Sequence, residues 1–268
     1  MTAATSALSR HEGFHSTWLD ADRDLTVFVP AGYTGTAEPY PLLLLHDGQN
    51  LFDPARAFGG ETWHVAETAD ALIAAGTIPP LVIAGVDHGG DARVREYTPT
   101  AGSQPGAGQV GRHARFLTEE VVPFLARRYA VRTDADGLGL GGASLGGLAT
   151  VAVALAEPAR FGRLLVMSPS VWWDRRAILR RLRRTPLAPR ARIWIDVGLK
   201  EGAKTVRDAR DLADLLRPRP GPRRDGSPAG DPSGGSVRFF VDPEGDHSER
   251  SWARRFGAAL TFCYQKQA

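Results

Sequence analysis

Short, continuous apolar runs alternate along this chain with longer stretches whose apolar residues recur every three or four positions. The runs at residues 41–45 and 81–86 have the length and composition of buried strands, and those at 137–140, 164–167, 193–197 and 237–241 read as further strands. Between them, residues 62–75 read as a helix with Trp63, Ala66, Ala69 and Ile73 on one face. Residues 113–129 read as a second, with Phe116, Val121, Phe124 and Leu125 as core contacts and a kink at Pro123. Further helical patterns cover residues 148–156, 177–184, 205–216 and 252–262. Residues 15–19 and 25–29 form an opening antiparallel hairpin, turned through Asp20-Ala21-Asp22. Strand–helix alternation of this kind predicts an α/β fold: a mostly parallel central sheet with helices on both faces. One stretch breaks the pattern. Residues 217–236 are dense in Pro, Gly, Arg, Asp and Ser without an apolar anchor, and read as a disordered surface loop before the last strand.

Composition narrows this picture. A chain of 268 residues with 43% hydrophobic and 24% charged residues suits one α/β domain spanning residues 1–268 around one sizeable core. Cys263 is the single cysteine, so no intrachain disulfide can form. The first 15 residues hold no apolar segment of the kind that directs secretion, Met1 is retained, and no run approaches membrane-spanning length. The expected location is therefore cytoplasmic, with no membrane partner. Net charge is +3, carried almost entirely by Arg, since Lys occurs only at 200, 204 and 266. That bias discourages reading any one Arg cluster as a binding site.

The chemistry concentrates at Gly142-Ala143-Ser144-Leu145-Gly146-Gly147, between a strand-like run and an Ala-rich helical run. This is the strand–turn–helix setting of a Gly-x-Ser-x-Gly nucleophile elbow, where the flanking glycines permit a sharp turn that exposes the serine. A serine nucleophile needs a base, and the base an orienting acid. His247, in Gly245-Asp246-His247-Ser248 just past the last strand, is the only histidine after Ser144. Two carboxylates compete for the acid. Glu201 lies in the loop beyond the strand at 193–197 and is favoured, because loops past strand ends carry such groups. Asp196 lies within the strand, where a structural role is the alternative; a Ser–His dyad without a strong acid is the third possibility. The oxyanion of a tetrahedral intermediate needs two backbone donors. Leu145 N–H, directly after the nucleophile, is one candidate. Gln49 N–H, in His46-Asp47-Gly48-Gln49-Asn50, is the other. His46 and Asp47 read as polar anchors of that loop, with direct catalysis as the alternative.

Together with Arg95-Glu96-Tyr97-Thr98-Pro99, Ser168-Pro169-Ser170-Val171-Trp172-Trp173 and Gly198-Leu199-Lys200-Glu201, these segments resemble the esterase branch of the α/β-hydrolase superfamily. That branch includes enterobactin (enterochelin) esterases, feruloyl and acetyl-xylan esterases, S-formylglutathione hydrolases and mycolyltransferases. The similarity runs from about Leu42 to Phe262 and is nearest to the catalytic domain of enterobactin-type esterases. It implies an α/β-hydrolase fold, Ser144 as nucleophile, His247 as base, Glu201 as acid, and Gln49 with Leu145 at the oxyanion hole. It also implies no metal and no organic cofactor. The chain departs from the cytoplasmic enterobactin esterases in having only its opening hairpin before the hydrolase core.

The expected activity is serine carboxylic-ester hydrolysis through an acyl-enzyme, on a small-molecule ester of siderophore-like or aryl type. Acyl transfer on the same residues, or a non-catalytic binding role, are the alternatives. Trp172 and Trp173 are candidate substrate-binding residues forming an aromatic wall, with packing beneath the next helix as the competing reading. The six arginines between Arg175 and Arg184 read as a solvent face, or else as a rim for an anionic substrate. No nucleic-acid motif accompanies them, so no nucleic-acid partner is expected. Asp87-His88-Gly89-Gly90-Asp91 lacks the spacing of a metal site and reads as a loop at the active-site mouth.

Overall fold

The computed structural model describes residues 5–35, 38–185, 187, 191–217 and 236–265. Eight strands form one sheet: β1 (Ala7–Ser16), β2 (Ala21–Val29), β3 (Leu42–His46), β4 (Val82–Val86), β5 (Leu138–Ala143), β6 (Arg163–Met167), β7 (Arg192–Gly198) and β8 (Ser236–Asp242). Their spatial order is β1-β2-β4-β3-β5-β6-β7-β8. β2 runs antiparallel to both β1 and β4, and every other neighbouring pair is parallel. Among the described residues the α-helices are α1 (Val65–Ala74), α2 (Ala92–Tyr97), α3 (Val110–Arg115), α4 (Val122–Arg128), α5 (Leu145–Ala156), α6 (Trp173–Arg184), α7 (Ala203–Leu216) and α8 (Glu249–Tyr264).

β3 shows why the apolar runs are unbroken. Successive side chains of a strand point to opposite faces. Leu42 and Leu44 enter the core beneath α3, α5 and α7, while Leu43 and Leu45 enter the core beneath α1 and α8. A strand covered on both faces needs apolar residues at every position, so the α/β-hydrolase pattern of a mostly parallel sheet between two helical layers is written directly into the run.

Several boundaries differ from the sequence expectation. The hairpin turns through residues 17–20, with Ser16 opposite Ala21, so Ala21 and Asp22 belong to β2. β1 also begins earlier, at Ala7; as an edge strand with mostly exposed side chains it shows no apolar run. α1 begins at Val65 because His64 is left-handed (φ 50°) and stops the helix from extending toward Thr62. The helix read at 113–129 begins instead at Val110 and runs through α3, a π-helical turn at Phe116–Val121, and α4. Pro123 lacks an N–H and its ring crowds the carbonyl four residues back. The wider π turn just before it accommodates the ring without ending the helix. α2 went unrecognised in the apolar pattern. The loop expected at 217–236 falls, apart from its two end residues, outside the described residues.

Candidate active site

The parallel strands all present their carboxyl ends to the same rim of the sheet, and the candidate residues sit on the loops there. Ser144 follows β5 with φ 57° and ψ −121°, a conformation that costs a non-glycine residue roughly 1–3 kcal/mol. Its surroundings hold it there. Its N–H donates to Met167 O (3.0 Å), and its carbonyl accepts from Leu148 N–H (3.1 Å) and Ser170 N–H (3.0 Å). The neighbouring glycines are dictated by crowding. A Cβ on Gly142 would lie 2.9 Å from the Gly146 carbonyl carbon, and one on Gly147 would lie 2.8 Å from Met167 O.

Two loops bring the candidate base and acid to the serine. The chain after β7 touches the chain after β8: Lys200 N–H donates to Gly245 O (2.9 Å), and a Cβ on Gly198 would lie 2.3 Å from that same oxygen. This close approach carries Glu201 to His247. His247 Nε2 is 2.9 Å from Ser144 Oγ, and His247 Nδ1 is 2.7 Å from Glu201 Oε2. The other Glu201 oxygen accepts from Ser168 Oγ (2.6 Å) and Gly198 N–H (2.7 Å). Burial works against the ionised Glu201, but the bonds from His247, Ser168 and Gly198 outweigh it and hold the carboxyl below its ordinary range. The glutamate side chain is almost wholly buried, whereas that of His247 remains 45% exposed, so solvent reaches the histidine but not its partner. The His247 ring meets Trp252 edge to face at 5.0 Å.

Asp196, the competing acid, is fully buried and turned to other partners. It accepts from Trp194 Nε1 (2.7 Å) and Arg255 Nε (3.0 Å). Burial pushes its carboxyl up to about 6 against the pull of those donors. Arg255 is 2% exposed and also reaches Ser168 Oγ (2.8 Å), Asp242 (3.5 Å) and, at 3.9 Å, Glu201. Ser168 therefore donates to Glu201 while accepting from Arg255 and from Trp252 Nε1 (2.9 Å). Sequence reasoning missed this buried support. A signal existed: Trp252, Arg255, Phe256, Ala259, Leu260 and Cys263 form the inward stripe of α8, and an arginine on an apolar stripe needs an internal partner.

The loop after β3 is built around a left-handed Asp47 (φ 59°) followed by a single 3-10 turn, Gly48–Asn50. Arg93 grips the Asp47 carboxylate with two bonds, 2.7 and 2.8 Å, and Asp47 N–H donates to Tyr97 Oη (3.3 Å). The Gln49 side chain accepts from His88 N–H (3.2 Å). Gln49 lies in the first turn of the 3-10 helix and Leu145 is the first residue of α5, positions whose N–H groups find no acceptor inside their own helix. His46 packs behind this loop, 3.4 Å from His113. Burial depresses His46 to about 3 and His113 well below the usual imidazole range, so both are neutral and uncharged at physiological pH.

A cavity of about 410 Å³ opens over Ser144 and His247. Phe58, Trp63 and Trp252 give it aromatic surface, and Asn50, Arg93 and Glu249 are among its polar lining. Trp172 and Trp173 lie elsewhere. Both line a separate depression of about 520 Å³ beside Gly102. Trp173 is buried in the core with its indole N–H on Thr100 O (3.0 Å), and Trp172 is half exposed. Arg176 is committed to Asp208 (3.1 Å) and Asp211 on α7, and Arg180 to the carbonyls of Asp174 (3.0 Å) and Arg175. His88 lines the cavity over Ser144, while Asp87 pairs with Arg56. Among the described residues, no group of three or more His, Cys, Asp or Glu side chains is arranged to hold a metal, and no helix is long and apolar enough to cross a membrane.

Comparison with known proteins places this geometry in context. The family described as Putative esterase matches residues 16–263. The chain is 26% identical over 188 residues to the uncharacterized protein YbbA of Bacillus subtilis, covering 68% of the chain and 70% of that protein. It is 30% identical over 158 residues to the iron(III) enterobactin esterase of Dickeya dadantii; this match covers 58% of the chain but only 32% of the relative. The chain thus aligns with about a third of that enzyme's length. Among solved structures, the BES protein from Bacillus cereus has a TM-score of 0.73 at 18% identity, covering 99% of this chain and 97% of its own. The enterobactin esterase FES from Shigella flexneri, solved in the presence of enterobactin, has a TM-score of 0.73 at 22% identity, covering 95% of this chain and 58% of its own. At such identities the structural likeness is one of fold.

Proposed function

The chain belongs to the Putative esterase family, carboxylic-ester hydrolases with the α/β-hydrolase fold, and from that premise we propose that it acts as a single-domain serine esterase through a Ser144–His247–Glu201 triad. The observation that carries this reading is the continuous hydrogen-bonded path from Glu201 through His247 to Ser144, 2.7 and 2.9 Å long at its two links. In the first half-reaction Ser144 Oγ bonds to the ester carbonyl carbon as His247 Nε2 takes the hydroxyl proton. Glu201 keeps Nδ1 protonated and so leaves Nε2 free to accept. The oxyanion rests on the N–H groups of Gln49 and Leu145. Collapse breaks the bond to the alcohol oxygen, which leaves with the proton from His247. Water then enters, gives its proton to His247 and attacks the acyl-enzyme; Ser144 recovers that proton as the acid departs. The exposure of His247 supports water as the acceptor over a second alcohol.

The substrate is a small-molecule ester. The aromatic surface contributed by Phe58, Trp63 and Trp252 favours aryl or siderophore-like esters, and the similarity to proteins described as enterobactin esterases favours the same class. Hydrolysis of p-nitrophenyl esters from acetate to octanoate by wild type and Ser144→Ala tests the proposal. Turnover should fall to background in the variant, and a fluorophosphonate should label Ser144 in the wild type. Turnover that survives in Ser144→Ala would overturn the assignment of the nucleophile.

A further inference from the structure

The cavity beside Ser144 has a charge balance opposite to that of the chain, whose formal net charge is +3. Its ionisable lining residues are Asp47, Glu61, His88, Arg93, His247 and Glu249. Arg93 spends its charge on Asp47 through the two bonds already described. Glu61, at the rim, pairs with Arg250 at 3.3 Å. His88 is depressed mainly by burial, and its Nδ1 accepts from Gly90 N–H (2.9 Å). His247 serves Ser144 and Glu201. Glu249 is what remains.

Glu249 is the first residue of α8, capped by Ser248, and is 9% exposed. One carboxylate oxygen accepts from Asn50 Nδ2 (3.0 Å) and the other from Trp63 Nε1. Both partners are neutral donors. They orient the carboxylate without cancelling its charge, and among the described residues no cation forms a salt bridge with it. Burial pushes the carboxyl up to about 7, with Asp47 adding to the effect and Trp63, Arg93 and His247 opposing it. The helix N-terminus also favours the anion. Above neutral pH the cavity therefore carries a single unpaired charge, and it is negative.

We propose that Glu249 determines substrate charge: it directs this esterase to neutral and cationic esters and against esters that bring an anionic group into the cavity. This inference rests on the reading of Ser144 as the nucleophile. A like charge about 7 Å from Glu249, at an effective dielectric constant of roughly 20 to 40, is disfavoured by about tenfold to fiftyfold. The chemistry that fits is an acyl or alcohol portion without carboxylate, sulfate or phosphate near the scissile bond.

Three p-nitrophenyl esters with the same six-carbon acyl chain test this: the hexanoate (neutral), the adipate half-ester (anionic) and the 6-aminohexanoate (cationic). The readout is the ratio of kcat/KM values at pH 8.5, which is independent of the fraction of protein that is folded. Wild type should favour the neutral over the anionic ester by about tenfold or more, and Glu249→Gln should reduce that to within about threefold. Glu249→Asp should retain the preference. In the wild type the ratio should also shrink as the pH is lowered to 5.5 and Glu249 takes up a proton. Asp47, Glu61, His88, Arg93 and His247 face the same cavity and are all retained in the Gln variant, so the difference in pH response between the two proteins belongs to Glu249. A Gln variant with the wild-type ratio overturns the proposal. If that variant is inactive, a wild-type ratio that does not change between pH 5.5 and 8.5 overturns it instead. Ser144→Ala separates this from the underlying reading: turnover surviving there sinks the nucleophile assignment, whereas a dead Ser144→Ala beside a Glu249→Gln that keeps the wild-type ratio sinks the role of Glu249 alone.

Discussion

Replacing Glu201 by Gln changes almost nothing in volume and one thing in chemistry. The retained carbonyl oxygen can still accept from Ser168 and Gly198, as Oε1 does now at 2.6 and 2.7 Å. The amide nitrogen then faces His247 Nδ1 and offers a proton where the carboxylate accepted one. The favoured imidazole tautomer becomes the one protonated on Nε2, which cannot take the proton of Ser144 Oγ 2.9 Å away. In a serine protease triad, loss of the correct tautomer lowers kcat by about 10⁴. We expect a fall of about 10³ to 10⁴ here, or ~4–5.5 kcal/mol in the barrier, with the fold retained. Asp196→Asn is the contrasting perturbation. It leaves His247 alone and puts a neutral acceptor in place of the carboxylate facing Arg255, which is 2% exposed, so its effect falls on stability rather than on kcat. The assay is p-nitrophenyl acetate turnover beside a thermal melt for each variant. Retention of more than a tenth of kcat in Glu201→Gln, with a 10³-fold loss in a folded Asp196→Asn, would refute the argument and make Asp196 the acid.

The same two carboxylates carry opposite pH signatures. The folded-state value of Glu201 is lowered, so its contribution to stability is present above the ordinary carboxylate range and is lost as pH falls through its folded value; Asp196 is raised to about 6, so its contribution is present below about 3.8 and is lost as pH rises through 6. Stability measured by urea denaturation from pH 2.5 to 7.5 should therefore respond in opposite senses to Glu201→Gln and Asp196→Asn, and equal slopes in the two variants would contradict the assignment. A third expectation concerns Asp174, Arg175 and Arg176, which are left-handed in succession (φ 42°, 51° and 66°). Arg175→Gly relieves a strain of roughly 1–2 kcal/mol and adds back roughly 0.5–1 in unfolded-state entropy. The net gain should raise the melting temperature by about 1–4 °C with kcat unchanged, and a lower melting temperature would show the conformation to be unstrained.

What could be read along the chain was whatever local constraint writes locally. Leu42 to Leu45 announced a strand covered on both faces because every position needs an apolar side chain there. Residues 142–147 announced a sharp turn because the backbones around Gly142 and Gly147 leave no room for a Cβ. His247 and Glu201 followed from order along the chain, and the fold brings both within hydrogen-bond reach of their neighbours. The remainder depended on partners far away in sequence. Asn50 and Glu249 are separated by 199 positions, and no local pattern marks Glu249 as a cavity residue. Phe58 is 79% exposed on a single 3-10 turn, Phe58–Gly60, too short to show periodicity. The six-residue α2, with three charged side chains, was too short to display a face, and β1 lies at an edge where burial no longer dictates alternation. The pair Trp172 and Trp173 looked like a substrate wall because it follows β6, yet the core takes one ring, and the cavity over Ser144 is lined by aromatic residues from two other segments.

That separation between the proposed reacting groups and the cavity lining has an evolutionary consequence. Ser144, Glu201 and His247 hang on strand ends whose spacing is set by the hydrogen-bond ladder of the sheet, so they can drift little without losing alignment. Phe58 and Trp63, by contrast, come from a segment between β3 and α1 that contributes nothing to that ladder, and Trp252 and Glu249 from the first turn of a helix. Changes in those places alter what fits while leaving the reaction untouched. A lineage built this way can explore new esters by small steps, each intermediate still active, and its members come to share architecture long after their sequences have diverged.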